Sequence, residues 1–340
     1  MRNGIKVFLK YSISLAVAVG LFWYLYKDID FSDMLARFRE ADLRWIYLSI
    51  ALSFLSHFVR AYRWNLLLEP LGYNLKAGRT FLAVMVGYLA NFVVPRMGEI
   101  SRCGILHKTD HVPVSKGFGS VVTERLIDVL CLFIVILITL SLEFEKLGSF
   151  FLNLISQKTD GISPNNNIWF IIAILVIVFA LSFLLLKRNH KKLQRNKLFL
   201  KISSFLRQLV EGILSIRKLK KGPQFIASTI FMWVLYFLMT YVVIFSIEET
   251  SQLSVTAGFT MLVLGGIGMA TPVQGGIGAF HYLMSAGLLL YGITEEDGIF
   301  FALLLHTTNS VAIMVLGLIS FFISMIIPKR KSEVTHANAS

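Results

Sequence analysis

Charge and cysteine are both scarce in this sequence. Only 16% of its 340 residues are charged, whereas about a quarter are charged in a typical soluble protein. The two cysteines, Cys103 and Cys131, have neither the number nor the spacing of a disulfide framework or a zinc knuckle. The motifs GxSxG and HExxH and the paired aspartates of lipid transferases are missing as well. We therefore expect no enzyme activity, no metal and no cofactor.

Long apolar runs stand where charge is missing, since 56% of the residues are hydrophobic. Runs long enough to cross a hydrocarbon core of about 30 Å occur at 7–26, 45–68, 117–142, 168–187, 224–247 and 299–327. The first run continues past its signal-peptide-like Ala16-Val17-Ala18, and we expect it to stay uncleaved. The sequence predicts an all-α polytopic integral membrane protein with about six full transmembrane helices. These belong to one transmembrane domain, 1–328, followed by a short cytosolic tail, 329–340.

Most of the net charge of +13 lies in the segment 187–221, where Glu211 is the one acid. Apolar residues recur there at helical spacing, which predicts a cytosolic amphipathic helix on the membrane surface. This segment either fixes the orientation of the chain or senses anionic lipid, and the sequence leaves both open. No nucleic-acid-binding motif accompanies it, so the expected partners are membrane lipids.

The positions of the basic residues predict how the chain crosses the membrane. Lys and Arg favour the cytosolic side, which places both termini and the segment 187–221 in the cytosol of a plasma (inner) membrane. Counting spans then requires 79–116 to enter from the cytosol and return to it. The segment 254–292 enters from outside and returns outside, as a re-entrant hairpin or as two short spans. An ordinary span over 79–95 with a charged end is the alternative for the first segment.

Both segments contain helix breakers at their midpoints. The predicted hinge residues are Pro95 and Gly98 in the first segment and Pro272, Gln274, Gly275, Gly276 and Gly278 in the second. Irregular backbone at membrane depth is tolerated only where protein or a wet cavity surrounds it. Two broken segments that enter from opposite faces indicate an inverted repeat with a site near the midplane.

Charged residues within the spans are the candidate site. They are Arg60, Arg63, Arg96, Glu99, Arg102, Glu124, Arg125 and Asp128, so arginines outnumber carboxylates. Guanidinium groups bind phosphate through paired hydrogen bonds. We therefore predict a cavity, open to the cytosol, in which the arginines bind an anionic lipid headgroup and Glu99, Glu124 and Asp128 balance charge. Two alternatives stay open: Arg60 snorkels to the interface, or the carboxylates form structural ion pairs.

The histidines indicate no second site. Cys103, His107 and His111 are four residues apart, but Pro113 predicts a helix end that would spoil their alignment as metal ligands. His281 and His306 are isolated on apolar helices, where a satisfied core histidine is the usual finding.

With these residues the chain resembles the flippase-like family named after the transmembrane region of lysylphosphatidylglycerol synthase. The resemblance rests on Arg60, Arg63-Trp64, Asn91, Pro95-Arg96, Gly98-Glu99, Arg102, Glu124-Arg125, Asp128, Pro272 and Gly275-Gly276-Ile277-Gly278. It implies translocation of a phospholipid, an aminoacylated phospholipid or a polyprenyl-phosphate-linked lipid, and adds Asn91 to the binding residues. Other family members often have a second proline where this chain has Gln274. They often have a glutamate near the position of His281 and an arginine near that of His306.

The resemblance covers the spans and not the aminoacyltransferase domain that follows them in the synthases, so we do not expect lysyl transfer. Two other functions remain open. The chain could be a non-transporting accessory subunit of an enzyme that modifies lipids or assembles envelope glycans. It could also be a membrane transferase, although the sequence offers no catalytic acid for one.

Overall fold

The computed structural model describes residues 31–144, 146 and 219–329, and in these ranges every regular element is helical. The predicted spans 7–26 and 168–187, nearly all of the basic segment 187–221 and the tail from 330 lie outside the described residues. The chain divides into two compact units, 1–132 with 218–340, and 133–217. All contacts discussed below lie within the first unit. The prediction of one transmembrane domain stays a prediction.

The described α-helices are α1 (Phe31–Glu40), α2 (Leu43–Leu68), α3 (Ala77–Val93), α4 (Gly98–Asp110), α5 (Val114–Leu142), α6 (Gly222–Tyr241), α7 (Val255–Ala270), α8 (Ala279–Leu289) and α9 (Glu295–Ile326). Short 3-10 turns lie at Glu69–Leu71, Val242–Ser246, Glu248–Thr250 and Gln274–Gly276. Side-chain oxygens cap several helices. Asp42, Ser254 and Thr294 each accept a backbone N–H in the first turn of the helix that follows.

Three of the described helices are long and apolar enough to cross a membrane: Val114–Leu142, Gly222–Ser246, which includes the 3-10 turn after α6, and Glu295–Ile326. The 26-residue α2 is long enough, at about 39 Å, but it carries His57, Arg60 and Arg63 among its apolar residues. α3 and α7 are apolar but shorter. The predicted all-α polytopic membrane fold is confirmed.

α3 and α4 form an antiparallel hairpin, which we call the first hairpin. Val94 is extended (φ −138°, ψ 120°) because the ring of Pro95 disfavours a helical residue before it, so α3 ends there. Four residues later α4 begins at Gly98. A Cβ atom on Gly87 would lie only 2.8 Å from the carbonyl oxygen of Gly98, so the helices touch near the tip. At the open end, Arg79 lies 3.1 Å from Asp110. The chain therefore returns to where it entered, as predicted.

α7 and α8 form the second hairpin. Its helices also approach closely, since a Cβ atom on Gly268 would lie 2.6 Å from the Cα of Phe280. At its open end the hydroxyl groups of Thr260 and Tyr291 are 2.7 Å apart. α7 and α8 have 16 and 11 residues, about 24 and 17 Å, so neither matches the hydrocarbon core in length. This geometry is that of a re-entrant hairpin.

The two hairpins open toward opposite ends of α9, which is 32 residues or about 48 Å long. α9 begins just after the open end of the second hairpin. At the other end of α9, Arg79 of the first hairpin donates to the backbone oxygen of Pro328 at 2.8 Å. The tips meet between these ends, because a Cβ atom on Gly275 would lie 2.7 Å from the ring of Phe92. A long helix, a hairpin and a long helix thus occur twice in chain order, as the predicted inverted repeat requires.

Charge differs between the two ends. The end at the first hairpin's opening is basic, with Lys76, Arg79, Lys108, Lys116, Lys220, Lys221 and Lys329; we call it the basic end. The opposite end carries Glu40, Glu248, Glu249, Glu295, Glu296 and Asp297; we call it the acidic end. There Arg37 of α1 lies within 4 Å of Glu249, Glu296 and Asp297 and stacks on Phe300.

Candidate functional site

A buried carboxylate joins three helices between the first hairpin and α2. Glu124 of α5 is fully buried, and its Oε1 lies 2.7 Å from Nη2 of Arg60 and 3.3 Å from Nη2 of Arg63. Its Oε2 lies 2.9 Å from Nη1 of Arg102 on α4. The helical spacing of Arg60 and Arg63 puts both guanidinium groups on the same face of α2. Three charges from α2 and α4 therefore meet at one carboxylate from α5.

Asp128 lies one turn farther along α5 and binds two of the same arginines. Its Oδ1 is 2.6 Å from Arg63, and its Oδ2 is 2.9 Å from Arg60. We call Arg60, Arg63, Arg102, Glu124 and Asp128 the inner cluster. Three guanidinium groups face two carboxylates there, which leaves an excess of one positive charge.

Neighbouring side chains explain how so many guanidinium groups are buried. Arg60 donates to the hydroxyl oxygens of Tyr88 at 2.9 Å and Tyr236 at 3.2 Å. The guanidinium of Arg102 lies 4.5 Å from the ring centre of Trp64, a favourable cation–π distance. The Trp64 indole in turn donates to Ser120 of α5 at 2.8 Å. Residue spacing carries no signal for the two tyrosines, because an aromatic residue on an apolar helix usually packs in the core.

Donors remain in excess in the inner cluster. Nε and Nη1 of Arg63 and Nε and Nη2 of Arg102 are buried and have no hydrogen-bond acceptor among the described residues. A buried donor without an acceptor is costly, so these four groups favour an additional anion or water.

A second ion pair lies outside the inner cluster. Nη2 of Arg125 is 3.0 Å from Oε1 of Glu99, and the two side chains are 41% and 24% exposed. Nη1 of Arg125 reaches Asp128 only at 4.0 Å. We call Glu99 and Arg125 the outer pair.

A small cavity lies beside both groups, at the tip of the first hairpin. Its lining includes Arg60, Tyr88, Asn91, Gly98, Arg102 and Arg125, and its volume is about 10 Å³, roughly the space of one water molecule. Asn91 also has a structural task here, since its side-chain oxygen accepts the Gly98 N–H at 2.7 Å and caps α4. Three of the predicted arginines, Arg60, Arg102 and Arg125, thus line the cavity, but in this conformation it is too small for a lipid headgroup.

Arg96 is the predicted arginine that belongs to neither the inner cluster nor the outer pair. It has a left-handed backbone (φ 64°), it is exposed, and it pairs with none of the residues described. Pro95 precedes it at the tip of the first hairpin. Arg96 therefore presents a guanidinium about 20 Å along the hairpin from its open end.

The tip of the second hairpin follows Pro272 and carries the predicted hinge glycines. Gly275, Gly276 and Gly278 have φ values of 57°, 78° and 82°, a left-handed region that favours glycine. Gln274 begins the 3-10 turn there. This irregular backbone is supported by α9, because Nε2 of His306 donates to the Gly275 oxygen at 2.8 Å.

His306 also stacks edge to face on His281, with ring centroids 4.7 Å apart. The sequence predicted ordinary core histidines. The structure agrees, since both are buried and the hydrogen bond of His306 to Gly275 also supports the glycine-rich turn. Two of the residues considered as metal ligands do not continue one regular helix face. Cys103 is buried, and His111 ends α4 in a left-handed conformation.

Comparison with known proteins gives this geometry a family context. The model of the family described as "Lysylphosphatidylglycerol synthase TM region" matches residues 11–317. The UPF0104 membrane protein MJ1595 of Methanocaldococcus jannaschii is 22% identical over 312 residues, which are 85% of this chain and 86% of that protein. Glycosyltransferase AglD of Haloferax volcanii is 29% identical over 103 residues, 30% of this chain but only 16% of that protein.

No solved structure matches the chain. The family match nevertheless spans both hairpins and every residue of the inner cluster and outer pair. The chain belongs to the family of the transmembrane region of lysylphosphatidylglycerol synthase.

Proposed function

We propose that this protein moves a phosphate-bearing lipid between the two leaflets and binds the headgroup at the arginines around the first hairpin's tip. The main support is the excess of buried guanidinium donors. Arg63 and Arg102 keep four N–H-bearing nitrogens without an acceptor among the described residues, and Arg102 lines the small cavity together with Arg60 and Arg125. A phosphate group offers several acceptor oxygens and negative charge, and it matches the planar fork of arginine.

The headgroup belongs to an anionic or aminoacylated phospholipid or to a polyprenyl-phosphate-linked lipid, because each of these carries the phosphate that the site selects. Binding residues in this proposal are Arg60, Arg63, Asn91, Arg96, Arg102 and Arg125. Glu99, Glu124 and Asp128 balance charge as the headgroup enters and leaves. The protein itself performs no covalent chemistry in this proposal.

Opening of the cavity is part of the proposed mechanism. The cavity now holds about one water, so the first hairpin moves relative to α2 and α5 when a headgroup enters. The contact of Phe92 with Gly275 closes the path between the hairpin tips. Separating the tips would connect the cavity with the half of the protein on the acidic side.

The proposed orientation has the basic end in the cytosol of a plasma (inner) membrane and both termini on that side. Lysines concentrate at the basic end, and acids at the other, which fits the preference of Lys and Arg for the cytosolic face. The inner cluster would then accept lipid from the cytosolic leaflet.

A transport assay tests the proposal. Purified protein is placed in phosphatidylcholine liposomes with a trace of fluorescent phosphatidylglycerol or fluorescent phosphatidylcholine, and an impermeant quencher reports movement between leaflets. We expect faster movement of phosphatidylglycerol than in protein-free liposomes. Arg96→Ala should slow it by about tenfold or more, because a charge-assisted contact is lost. Arg39→Ala, an exposed arginine at the acidic end, is the matched control. Equal rates with and without protein would refute transport.

The second candidate function is that of an accessory subunit that transports nothing and supports an enzyme of lipid modification or glycan assembly. One observation favours it: part of this chain is similar to a protein named as a glycosyltransferase, AglD. The liposome assay separates the candidates, because an accessory subunit alone would leave both labelled lipids at the protein-free rate.

A further inference from the structure

The ion pairs around the cavity are of two kinds. In the inner cluster, Arg60, Arg63, Arg102 and Glu124 are at most 6% exposed, and Glu124 is shared by three arginines. In the outer pair, Arg125 and Glu99 are 41% and 24% exposed and joined by one contact at 3.0 Å. These two groups differ strongly in how easily a carboxylate can be replaced.

The typical strengths of buried and partly exposed ion pairs show which pair an incoming anion breaks first. Removing one partner from a buried ion pair changes an equilibrium by roughly a hundredfold to several thousandfold. A partly exposed pair contributes less, at most a factor of about five where water solvates both separated charges. An incoming anion therefore displaces Glu99 from Arg125 long before it displaces Glu124 from the inner cluster.

The position of Glu99 fits an exchangeable anion. It is the second residue of α4, where the positive end of the helix dipole favours negative charge. Arg125 lines the cavity, and Arg96, exposed and without a partner among the described residues, lies three residues before Glu99 at the same tip. An anion that replaced the Glu99 carboxylate would meet the guanidinium of Arg125, whose only other carboxylate contact among the described residues is with Asp128 at 4.0 Å.

We infer that Glu99 is a built-in competitor of the headgroup: its carboxylate holds the anion position on Arg125, and an arriving phosphate group displaces it. This inference rests on the proposed function and adds the order of events. The Glu99–Arg125 contact joins the tip of the first hairpin to α5. Displacement of Glu99 therefore both frees Arg125 for phosphate and releases the hairpin tip, which lets the cavity widen.

Binding to the purified full chain tests the inference. Short-chain phosphatidylglycerol, short-chain phosphatidylcholine, glycerol phosphate and inorganic phosphate are each titrated, and the apparent Kd is measured. Glu99→Gln should bind phosphatidylglycerol about two- to fivefold more tightly than the unmodified chain, since the competing charge is gone. Glu99→Asp, whose side chain is one methylene shorter, should have an apparent Kd for phosphatidylglycerol between those of the unmodified chain and Glu99→Gln. Arg125→Gln should bind more weakly, and Glu99→Gln should give no gain in the Arg125→Gln background.

Glu69 provides a matched control. It pairs with Lys221 at 3.0 Å, and the two side chains are 23% and 46% exposed, nearly the values of the outer pair. Glu69→Gln lies outside the cavity and should leave every Kd unchanged. Thermal melting of each variant confirms that it is folded.

The ligands identify the source of the phosphate. A gain for phosphatidylglycerol alone supports displacement by a lipid headgroup, whereas an equal gain for glycerol phosphate or inorganic phosphate supports displacement by any phosphate group. Unchanged or weaker binding by Glu99→Gln overturns the inference, even if the liposomes show transport. Tighter binding without transport keeps the inference and rejects the proposed transport. If neither the unmodified chain nor Glu99→Gln binds any of the phosphate ligands, the inference and the proposed binding site are both rejected.

Discussion

Glu124 shows how this chain keeps several arginines within an apolar protein. A single arginine at the centre of a membrane helix costs about 2.5–3.5 kcal/mol on insertion scales. Here Arg60, Arg63 and Arg102 all lie within 3.3 Å of Glu124, and two of them also reach Asp128. Each charge is therefore compensated by contacts that no one of the helices could supply alone.

Glu124→Gln should strongly destabilise the protein. The amide keeps the shape of the side chain, but it leaves Arg60 and Arg63 with Asp128 alone and Arg102 with no carboxylate among the described residues. Breaking a buried pair costs about 3–5 kcal/mol. The free energy of unfolding, measured by titration with a denaturing detergent, would show the loss. Glu69→Gln, in a partly exposed pair, should cost about 1 kcal/mol or less. Equal losses in the two variants would contradict a central role for Glu124.

Spacing predicted part of the site at this scale. Residues three or four apart share a helix face, so their spacing already places Arg60 with Arg63 and Glu124 with Asp128, and in the structure Asp128 contacts both arginines. The site of Arg96 could not be derived in this way, because it follows a proline in a turn whose backbone direction no periodicity fixes. Tyr88 was equally inaccessible, since its hydroxyl contact depends on how α3 packs on α2.

At the scale of elements, glycines determine how closely the hairpin helices approach. Gly87 of α3 lies against Gly98 of α4, and this close contact places Asn91, Glu99 and Arg102 beside the cavity. The helix breaks at Pro95 and at the glycine-rich turn of the second hairpin were predicted from sequence. Which glycines meet across a hairpin was not, because that depends on the register of the two helices.

Gly87→Ala should separate α3 from α4. The new methyl group would lie 2.8 Å from the Gly98 oxygen, which is backbone and cannot turn away, so we expect a loss of about 1–3 kcal/mol. Gly104→Ala is the matched control on the same hairpin, because a Cβ there meets nothing within 4 Å. Thermal melting of the two variants in one detergent gives the comparison. If Gly104→Ala were the more damaging change, the close contact would not be what holds the hairpin.

Gly275→Ala should disturb the contact between the hairpin tips. Its left-handed backbone costs alanine about 1–2 kcal/mol, and its Cβ would also lie 2.7 Å from the Phe92 ring. Gly292→Ala carries a similar backbone cost (φ 78°) with open space around it. The difference between their melting temperatures reports the tip contact alone, and replacing Phe92 by Ala in the Gly275→Ala background should reduce that difference. No reduction would mean that the tips do not press on each other.

At the scale of the whole molecule, the direction in which each hairpin opens agrees with the distribution of charge between the two ends. Counting spans from the basic residues predicted that 79–116 and 254–292 enter from opposite sides, and α9 joins their open ends in that arrangement. This part of the fold was accessible from sequence because it depends on charge distribution and helix length. The meeting of the tips was not, since hydropathy reports depth in the membrane but not lateral neighbours.

Cysteine labelling tests the arrangement across the membrane. In a background with Cys103 and Cys131 replaced by alanine, Lys76→Cys at the basic end should react with an impermeant maleimide only after cells are opened. Glu295→Cys at the acidic end should react in intact cells. Both positions are exposed, so reactivity depends on the side of the membrane. Reaction of both from the same side would refute opposite entry of the hairpins.

The contacts of Arg37 have a consequence for which end of the protein can open. One guanidinium joins α1 to the turn after α6 and to the first turn of α9, through Glu249, Glu296 and Asp297, and it also stacks on Phe300. These elements are thereby cross-linked at the acidic end, which makes that end the pivot. A rotation of a few degrees about such a pivot displaces the far ends of helices about 40 Å long by a few ångströms, and displaces the hairpin tips, which lie between the two ends, by a smaller distance.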